Sequence, residues 1–329
     1  MFFGKQGCLT GISLVFVAGI CTQARAQSYD SKVTVRVEKP KSMGALGDSM
    51  AAGLLARFNR ATSGLPWNAS LFLGSLAGYL VTDEMRVLEA PELSWSTGLD
   101  LRKRVKSHAI RLGFDFRHRN KVINAAVSGA ESIDLLEKQM FDLNFESQRK
   151  LRQEFPDYVT FQIGPNDACS TAVEKMRSVT DYYSNIYAAL DYILFTSEKT
   201  RIMVPHIPNI ESLRAVAKDA PVFAFKEQGI TKCEQLWKIA KICPTLTTIN
   251  HPQERQIVAQ RVIDYNNALS DAVEKLSRRY GDRIRVSKRT YDVNFTADYL
   301  SVDCFHPNPL GQNVLSQETF KDSWWANQK

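Results

Sequence analysis

Short apolar runs that close on turn residues alternate with longer segments of helical spacing along most of this chain. Residues 33–37, 42–46, 121–127, 157–163, 201–207 and 284–286 read as extended, and in the fourth of these Val159, Phe161 and Ile163 fall on one face. Between them, residues 51–59, 99–112, 133–143, 178–196, 253–280 and 310–324 carry apolar positions at helical intervals, the second with a basic outer face. Turn signals punctuate the strands at Gly47, Ser128-Gly129, Gly164 and Pro208-Asn209. Strand and helix in alternation predict an α/β fold, a three-layer α/β/α sandwich with a mainly parallel central sheet. Functional loops of such sheets gather at the carboxyl ends of the strands, where Ser49, Gly129 and Gly164 fall.

Three stretches depart from the rhythm. Residues 71–88 are apolar but broken by Gly74 and Gly78, and read as a broken helix or a loop on the substrate side. Ser94-Trp95-Ser96-Thr97-Gly98 reads as a loop. Residues 219–252 hold Pro221, Pro244, Pro252 and two cysteines, and are taken as an insertion. No internal repeat or low-complexity segment accompanies them.

Composition adds an address. Lys5, an apolar run over residues 12–20 and Ala24-Arg25-Ala26 have the layout of a secretory signal peptide over residues 1–26, which predicts an exported chain beginning near Gln27. The remaining residues 27–329, in a chain that is 44% apolar, suffice for one large core or two small ones, and with no linker to divide them a single domain is expected. Loss of Lys5 and Arg25 takes the formal charge from +7 to +5, a mild excess concentrated in Arg102-Lys103-Arg104-Val105-Lys106 and Arg117-His118-Arg119. Such runs can meet an anionic surface, but more often form solvated faces. Export and modest charge argue against nucleic acid as a partner. With Cys8 and Cys21 removed, Cys169, Cys233, Cys243 and Cys304 remain, an even number in an exported chain, with three possible pairings. Cys233 and Cys243 enclose a short loop and are expected to pair, which leaves Cys169 with Cys304.

The chemistry-bearing residues are dispersed. Gly47-Asp48-Ser49 lies at a strand-to-helix junction, where unpaired amides favour developing negative charge; by itself it reads equally well as a helix cap, since both Asp48 and Ser49 cap well. Far downstream, Asp303 stands three residues before His306, so one turn of chain lets the carboxylate hold one ring nitrogen while the other faces Ser49. A serine hydroxyl needs such a base to become a nucleophile. Asn166, after Gly164-Pro165, offers a side-chain amide to an oxyanion, together with the backbone amides of Ser49 and Gly129. Plain turns are the alternative reading of Asn166-Asp167 and Gly129. His108, His118, His206 and His251 read as structural or surface histidines.

In order, Gly47-Asp48-Ser49, Gly129, Gly164-Pro165-Asn166-Asp167 and Asp303-Cys304-Phe305-His306 resemble the four sequence blocks of the SGNH, or GDSL-type, hydrolases. The resemblance spans most of the chain after the signal and implies the flavodoxin-like sandwich of that superfamily. It implies Ser49 as nucleophile, Asp303 and His306 as its triad partners, and Ser49, Gly129 and Asn166 as the oxyanion hole. Cys169 and Cys304 flank blocks that converge in this fold, so their pairing would brace the asparagine loop against the histidine loop. Leu93-Ser94-Trp95-Ser96, Asn124-Ala125-Ala126-Val127-Ser128-Gly129-Ala130, Asn166-Asp167-Ala168-Cys169 and Asp303-Cys304-Phe305-His306-Pro307 look most like the phospholipase B subgroup, which implies a metal-independent esterase acting on phospholipids and lysophospholipids. Two positions depart from the pattern: Met50, where leucine is usual, and Pro165, which has no amide hydrogen.

The expected partner is therefore a lipid or other acyl-ester substrate, with residues 71–80 and 221–225 as candidates for an apolar channel or for transient contact with a membrane surface, or equally for core. An esterase of carbohydrate acetyl groups or small esters is the first alternative, and an idle binding protein on the same fold is the second. No cofactor is expected: no cluster has metal-ligand spacing, and the glycines form neither a phosphate loop nor a dinucleotide fingerprint. Nothing in the sequence sets an oligomeric state.

Overall fold

A computed structural model describes residues 37–61 and 88–328. Its strands are β1 (Met43–Gly47), β2 (Val122–Asn124), β3 (Tyr158–Gln162), β4 (Arg201–Pro205) and β5 (Ile284–Ser287). They pair in the order β2-β1-β3-β4-β5 and every pairing is parallel, with Met43 opposite both Val122 and Tyr158, and Ile202 opposite Ile284. The helices are α1 (Ser49–Ala52), α2 (His108–Leu112), α3 (Ser132–Asp134), α4 (Met140–Leu151), α5 (Pro165–Ala168), α6 (Val179–Thr196), α7 (Ile210–Ala217), α8 (Cys233–Ala240), α9 (Pro244–Thr247), α10 (Pro252–Tyr280) and α11 (Pro309–Phe320).

Every residue of β1 and β3 is buried, which explains why these strands read as apolar runs and not as an alternation: both faces of the sheet are covered. The period of two still sorts the side chains. Val159, Phe161, Ile202 and Val204 join the large core beneath α6 and α10, alongside Ile186, Leu190, Tyr265 and Leu269. Met43, Tyr158 and Met203 point the other way, against Ala109 and Leu112 of α2 and against Trp324 and Trp325 beyond α11. The α/β reading is therefore correct, with helical layers on both faces of a parallel sheet.

Several expected elements are shorter, each for a local reason. The helix expected over residues 51–59 stops after Ala52 because Gly53 turns left-handed (φ 74°) and its amide closes on the Ser49 carbonyl. A Cβ at Gly53 would lie 2.5 Å from the Ala90 carbonyl oxygen, so no side chain fits there. Of residues 99–112, only α2 is helical: the buried carboxylate of Asp100 accepts from the amides of Arg102 and Arg104 and from the Arg104 guanidinium, folding the basic run into a loop, and Ser107 caps α2 by accepting from the Ile110 amide. β2 ends at Asn124, although Ala125 and Val127 still donate to the carbonyls of Ala45 and Gly47. The long helix α10 and the capped helix α6 match expectation.

Residues 219–252 carry α8 and α9 and contribute Leu236, Trp237 and Ala240, all fully buried, to the main core. Of residues 221–225, offered as channel, membrane contact or core, Val222 and Phe225 are buried and Phe223 is 45% exposed. The signal peptide expected over residues 1–26, the extended run expected over residues 33–36 and most of the apolar stretch over residues 71–88 lie outside the described residues. The described residues belong to one compact unit. No helix among the described residues is long and apolar enough to cross a membrane.

The cysteines pair differently from expectation: Cys169 with Cys243 and Cys233 with Cys304, at Cα separations of 4.6 and 5.7 Å. Cys233 opens α8 and Cys243 follows its end. A rigid helix of that length holds its two ends about 12 Å apart, beyond the roughly 7 Å that a disulfide spans. Each cysteine reaches outward instead, Cys243 to the loop after Asn166 and Cys233 to the loop between Asp303 and His306. The two loops are tied to opposite ends of one helix and not to each other.

Candidate active site

The carboxyl ends of parallel strands lie at one edge of the sheet; Ser49, Gly129 and Asn166 follow β1, β2 and β3 there, and Asp303 and His306 come from the loop before α11. β1 runs into α1 through Gly47, whose φ of 147° and close approach exclude a side chain: a Cβ would sit 2.0 Å from the Gln162 carbonyl oxygen. Asp48 caps α1, its Oδ1 accepting from the Met50 amide at 2.9 Å, so Ser49 occupies the first helical position, where the backbone N–H has no intrahelical partner. Asp48 is thus the cap, and the expected nucleophile, Ser49, is its neighbour. Asp48 is fully buried and its Oδ2 has no hydrogen-bond partner among the described residues. Burial pushes this carboxyl up to about 7, against the Met50 hydrogen bond and the charge of His306.

His306 joins Ser49 to Asp303. Its Nε2 lies 2.8 Å from Ser49 Oγ and its Nδ1 lies 2.5 Å from Asp303 Oδ2. Asp303 is fully buried, and its Oδ1 accepts from the amides of Phe305 and His306 at 3.1 and 3.0 Å. Burial acts to raise the carboxyl's pKa, but the charge of His306 and these hydrogen bonds outweigh it, and the group is held below its ordinary value. The turn is closed by the Ser301 amide on the His306 carbonyl, with Cys304 in the left-handed region at φ 60°. Within this loop Cys304 is bonded to Cys233 of α8.

Gly129 and Asn166, expected as oxyanion donors with the Ser49 amide, stand on two neighbouring loops. Gly129 follows β2 in an exposed turn at φ 82°, and its amide, like that of Ser49, has no hydrogen-bond partner among the described residues. Asn166 lies in α5, and Pro165 occupies the first helical position, where a missing amide hydrogen costs nothing. One N–H of Asn166 donates to the Ala130 carbonyl at 2.9 Å, which ties the asparagine loop to the glycine loop and leaves the second N–H of the same amide. The arrangement offers a hydroxyl activated by a carboxylate-held imidazole, beside donors suited to an oxyanion. Among the described residues, no group of His, Cys, Asp and Glu is placed to hold a metal ion.

The other histidines are accounted for by packing and local contacts. His108 is buried between the Tyr158 hydroxyl (2.8 Å) and Thr319 Oγ1 (2.7 Å), and burial pushes it down to about 3. His206 bonds Ser270 Oγ at 2.8 Å and is pushed down to about 4, again by burial. His118 pairs with Asp115, and His251 is exposed.

Several supporting side chains gave no sequence signal because they act across long separations. Gln139 ends a π-helical turn (Leu135–Gln139) and brackets Gly47, accepting from its amide at 2.8 Å and donating to its carbonyl at 2.9 Å. The Trp237 indole N–H of α8 donates to the Asp303 carbonyl at 3.1 Å. Glu89 accepts from the Ser128 amide at 3.0 Å, next to Gly129. Met50, the departure in the first block, has a partner that leucine would lack: Gln162 Nε2 lies 3.7 Å from its sulfur, while Gln162 Oε1 accepts from Trp95. Met50→Leu preserves volume but leaves a buried amide donor unpaired, so a loss of about 1–2 kcal/mol in urea unfolding is expected. An unchanged midpoint and slope would show that the sulfur contact contributes nothing.

A model of the GDSL-like lipase/acylhydrolase family matches residues 43–319. Among curated proteins, none matches the chain. Among solved structures, the chain is similar to LAE5, an α/β hydrolase enzyme from the metagenome of Lake Arreo, Spain, with 14% identity, 88% of this chain and 96% of that chain covered, and a TM-score of 0.45. It is also similar to an extracellular lipase from Streptomyces rimosus (15% identity, 84% and 99% covered, TM-score 0.40). A third is an acetyl xylan esterase from Geobacillus stearothermophilus (12% identity, 87% and 96% covered, TM-score 0.43).

Proposed function

We propose that this chain, which belongs to the GDSL-like lipase/acylhydrolase family, is an exported serine esterase that removes acyl chains from phospholipids and lysophospholipids. The observation that carries the esterase chemistry is the unbroken relay from Ser49 Oγ through His306 to the buried Asp303. Ser49 Oγ attacks the ester carbonyl as His306 Nε2 takes its proton, and the carbonyl oxygen becomes an oxyanion held by the amides of Ser49 and Gly129 and by Asn166. The tetrahedral intermediate collapses as His306 returns the proton to the departing alkoxide oxygen, leaving an acyl-serine. Water, deprotonated by the same imidazole, then releases the fatty acid and restores Ser49.

The lipid preference rests on the block resemblance to phospholipase B. Export rests on the leader pattern over residues 1–26 and on two disulfides, which persist in oxidising compartments. Residues 27–329 then constitute one hydrolase domain in which 219–252 serves as a brace, since α8 holds the Asp303–His306 loop through Trp237 and Cys233.

The test is a substrate series: nitrophenyl esters from acetate to palmitate, then phosphatidylcholine vesicles, lysophosphatidylcholine and acetylated xylan. Rates that rise with chain length, with fatty acid released from both lipids, are expected. Activity confined to acetate or acetylated xylan would overturn the lipid assignment and leave the esterase chemistry standing.

A further inference from the structure

One guanidinium reaches a carboxylate from each of the two oxyanion loops. Arg177 Nη2 bonds Glu131 Oε2, two residues after Gly129, and Arg177 Nε forms an ion pair at 2.7 Å with Asp167 Oδ1, one residue after Asn166, its N–H not aligned for a hydrogen bond. Asp167 in turn reaches back to the glycine loop: its carboxylate accepts from the Ser132 amide at 2.9 Å and from the Ser132 hydroxyl at 2.6 Å. The Arg177 amide donates to the Asp167 carbonyl at 3.0 Å, and the Arg177 carbonyl accepts from the Tyr265 hydroxyl at 2.6 Å and from Arg261 at 2.5 Å, so α10 anchors the clamp. Burial raises the pKa of Asp167, while the Ser132 hydrogen bonds and the charge of Arg177 pull against it.

We infer that Arg177 is a positioning residue that fixes the Gly129 amide and the Asn166 side chain relative to each other, so that both donors meet one oxyanion. This rests on the esterase reading above. Arg177 does not touch the Ser49–His306–Asp303 relay, and nothing else among the described residues bridges Glu131 and Asp167. Without it, the loops remain joined by the Asn166 and Ser132 hydrogen bonds, but the two carboxylates lose the cation they share and repel each other. Donors arranged around an oxyanion act through alignment, which a displacement of about 1 Å is enough to spoil.

The consequence is specific to the transition state. Arg177→Ala is expected to lower kcat by about 10- to 100-fold, with KM changed less than about twofold, because ground-state contacts are untouched. Affinity for an alkyl boronic acid, whose tetrahedral adduct on Ser49 carries the oxyanion, should fall in parallel. Arg177→Lys should recover part of kcat, and Glu131→Gln should lower it in the same direction. Rates are taken per active serine, titrated with a fluorophosphonate, so that misfolded protein does not count; where Arg177→Ala does not fold, Arg177→Lys and Glu131→Gln decide. A kcat that stays within about twofold in the folded variants, or a loss confined to KM, overturns the inference. Failure of the esterase reading is a separate result: there, Ser49→Ala would retain activity.

Discussion

Ser49→Ala is expected to lower hydrolysis of a nitrophenyl ester by about 10⁴-fold or more while leaving the melting temperature close to that of the parent chain. The size of the effect follows from the relay. His306 and Asp303 are arranged around the Ser49 hydroxyl, with Nε2 at 2.8 Å, and among the described residues no other hydroxyl is bonded to His306. Removal of the nucleophile leaves the imidazole and the oxyanion donors able to assist only a water molecule, a residual typical of triad enzymes. The fold should tolerate the change because α1 is capped by Asp48 and closed by Gly53, and neither contact uses the Ser49 side chain. His306→Ala is expected to lose activity to a similar extent, since members of a triad act as a unit. Initial rates and thermal melts of both variants decide the matter. Near-normal turnover in Ser49→Ala would overturn the nucleophile assignment.

The parts of this site that were legible in the sequence are those written in local spacing. Asp303 and His306 are three residues apart, and one turn brings them into contact; Asp48 and Ser49 mark a strand-to-helix junction; Gly164 and Asn166 follow a run of apolar residues. The alternation of strand and helix likewise fixed the α/β class, because burial on both faces makes each strand an apolar run of recognisable length. What failed was set by single side chains acting over distance. A basic, helix-like stretch became a loop because Asp100 captures backbone amides at 102 and 104. The expected Cys233–Cys243 pair was blocked by a helix that its short spacing concealed. Gln139 on Gly47, Trp237 on Asp303 and Arg177 on Asp167 span separations with no periodicity, so only the fold reveals them.

Asp303→Asn is the substitution in which geometry dictates a particular failure. The native carboxylate presents one oxygen to the amides of Phe305 and His306 and the other to His306 Nδ1, so all three neighbours are donors. Asparagine has one acceptor and one NH₂. With its oxygen kept on the two amides, the NH₂ faces Nδ1, which must then accept. The ring proton moves to Nε2, and the nitrogen beside Ser49 becomes a donor that cannot take the hydroxyl proton. A loss of about 10³- to 10⁴-fold in kcat, with little change in KM, is expected from the wrong tautomer alone. Stability carries an independent signature. Because the folded pKa of Asp303 lies below its unfolded value, the stabilisation its charge provides is present above the ordinary carboxylate range and is lost as pH falls through the folded pKa. Urea unfolding should therefore show the parent more stable than Asp303→Asn at pH 7, with the gap narrowing toward pH 3, about where carboxylates protonate. A variant that kept kcat within about tenfold, or a gap that widened on acidification, would place the orientation of His306 elsewhere. The backbone bonds from the Ser301 amide to the His306 carbonyl and from the Cys304 amide to the Ser301 carbonyl would then be the first place to look, since they fix the turn whatever the side chain at 303.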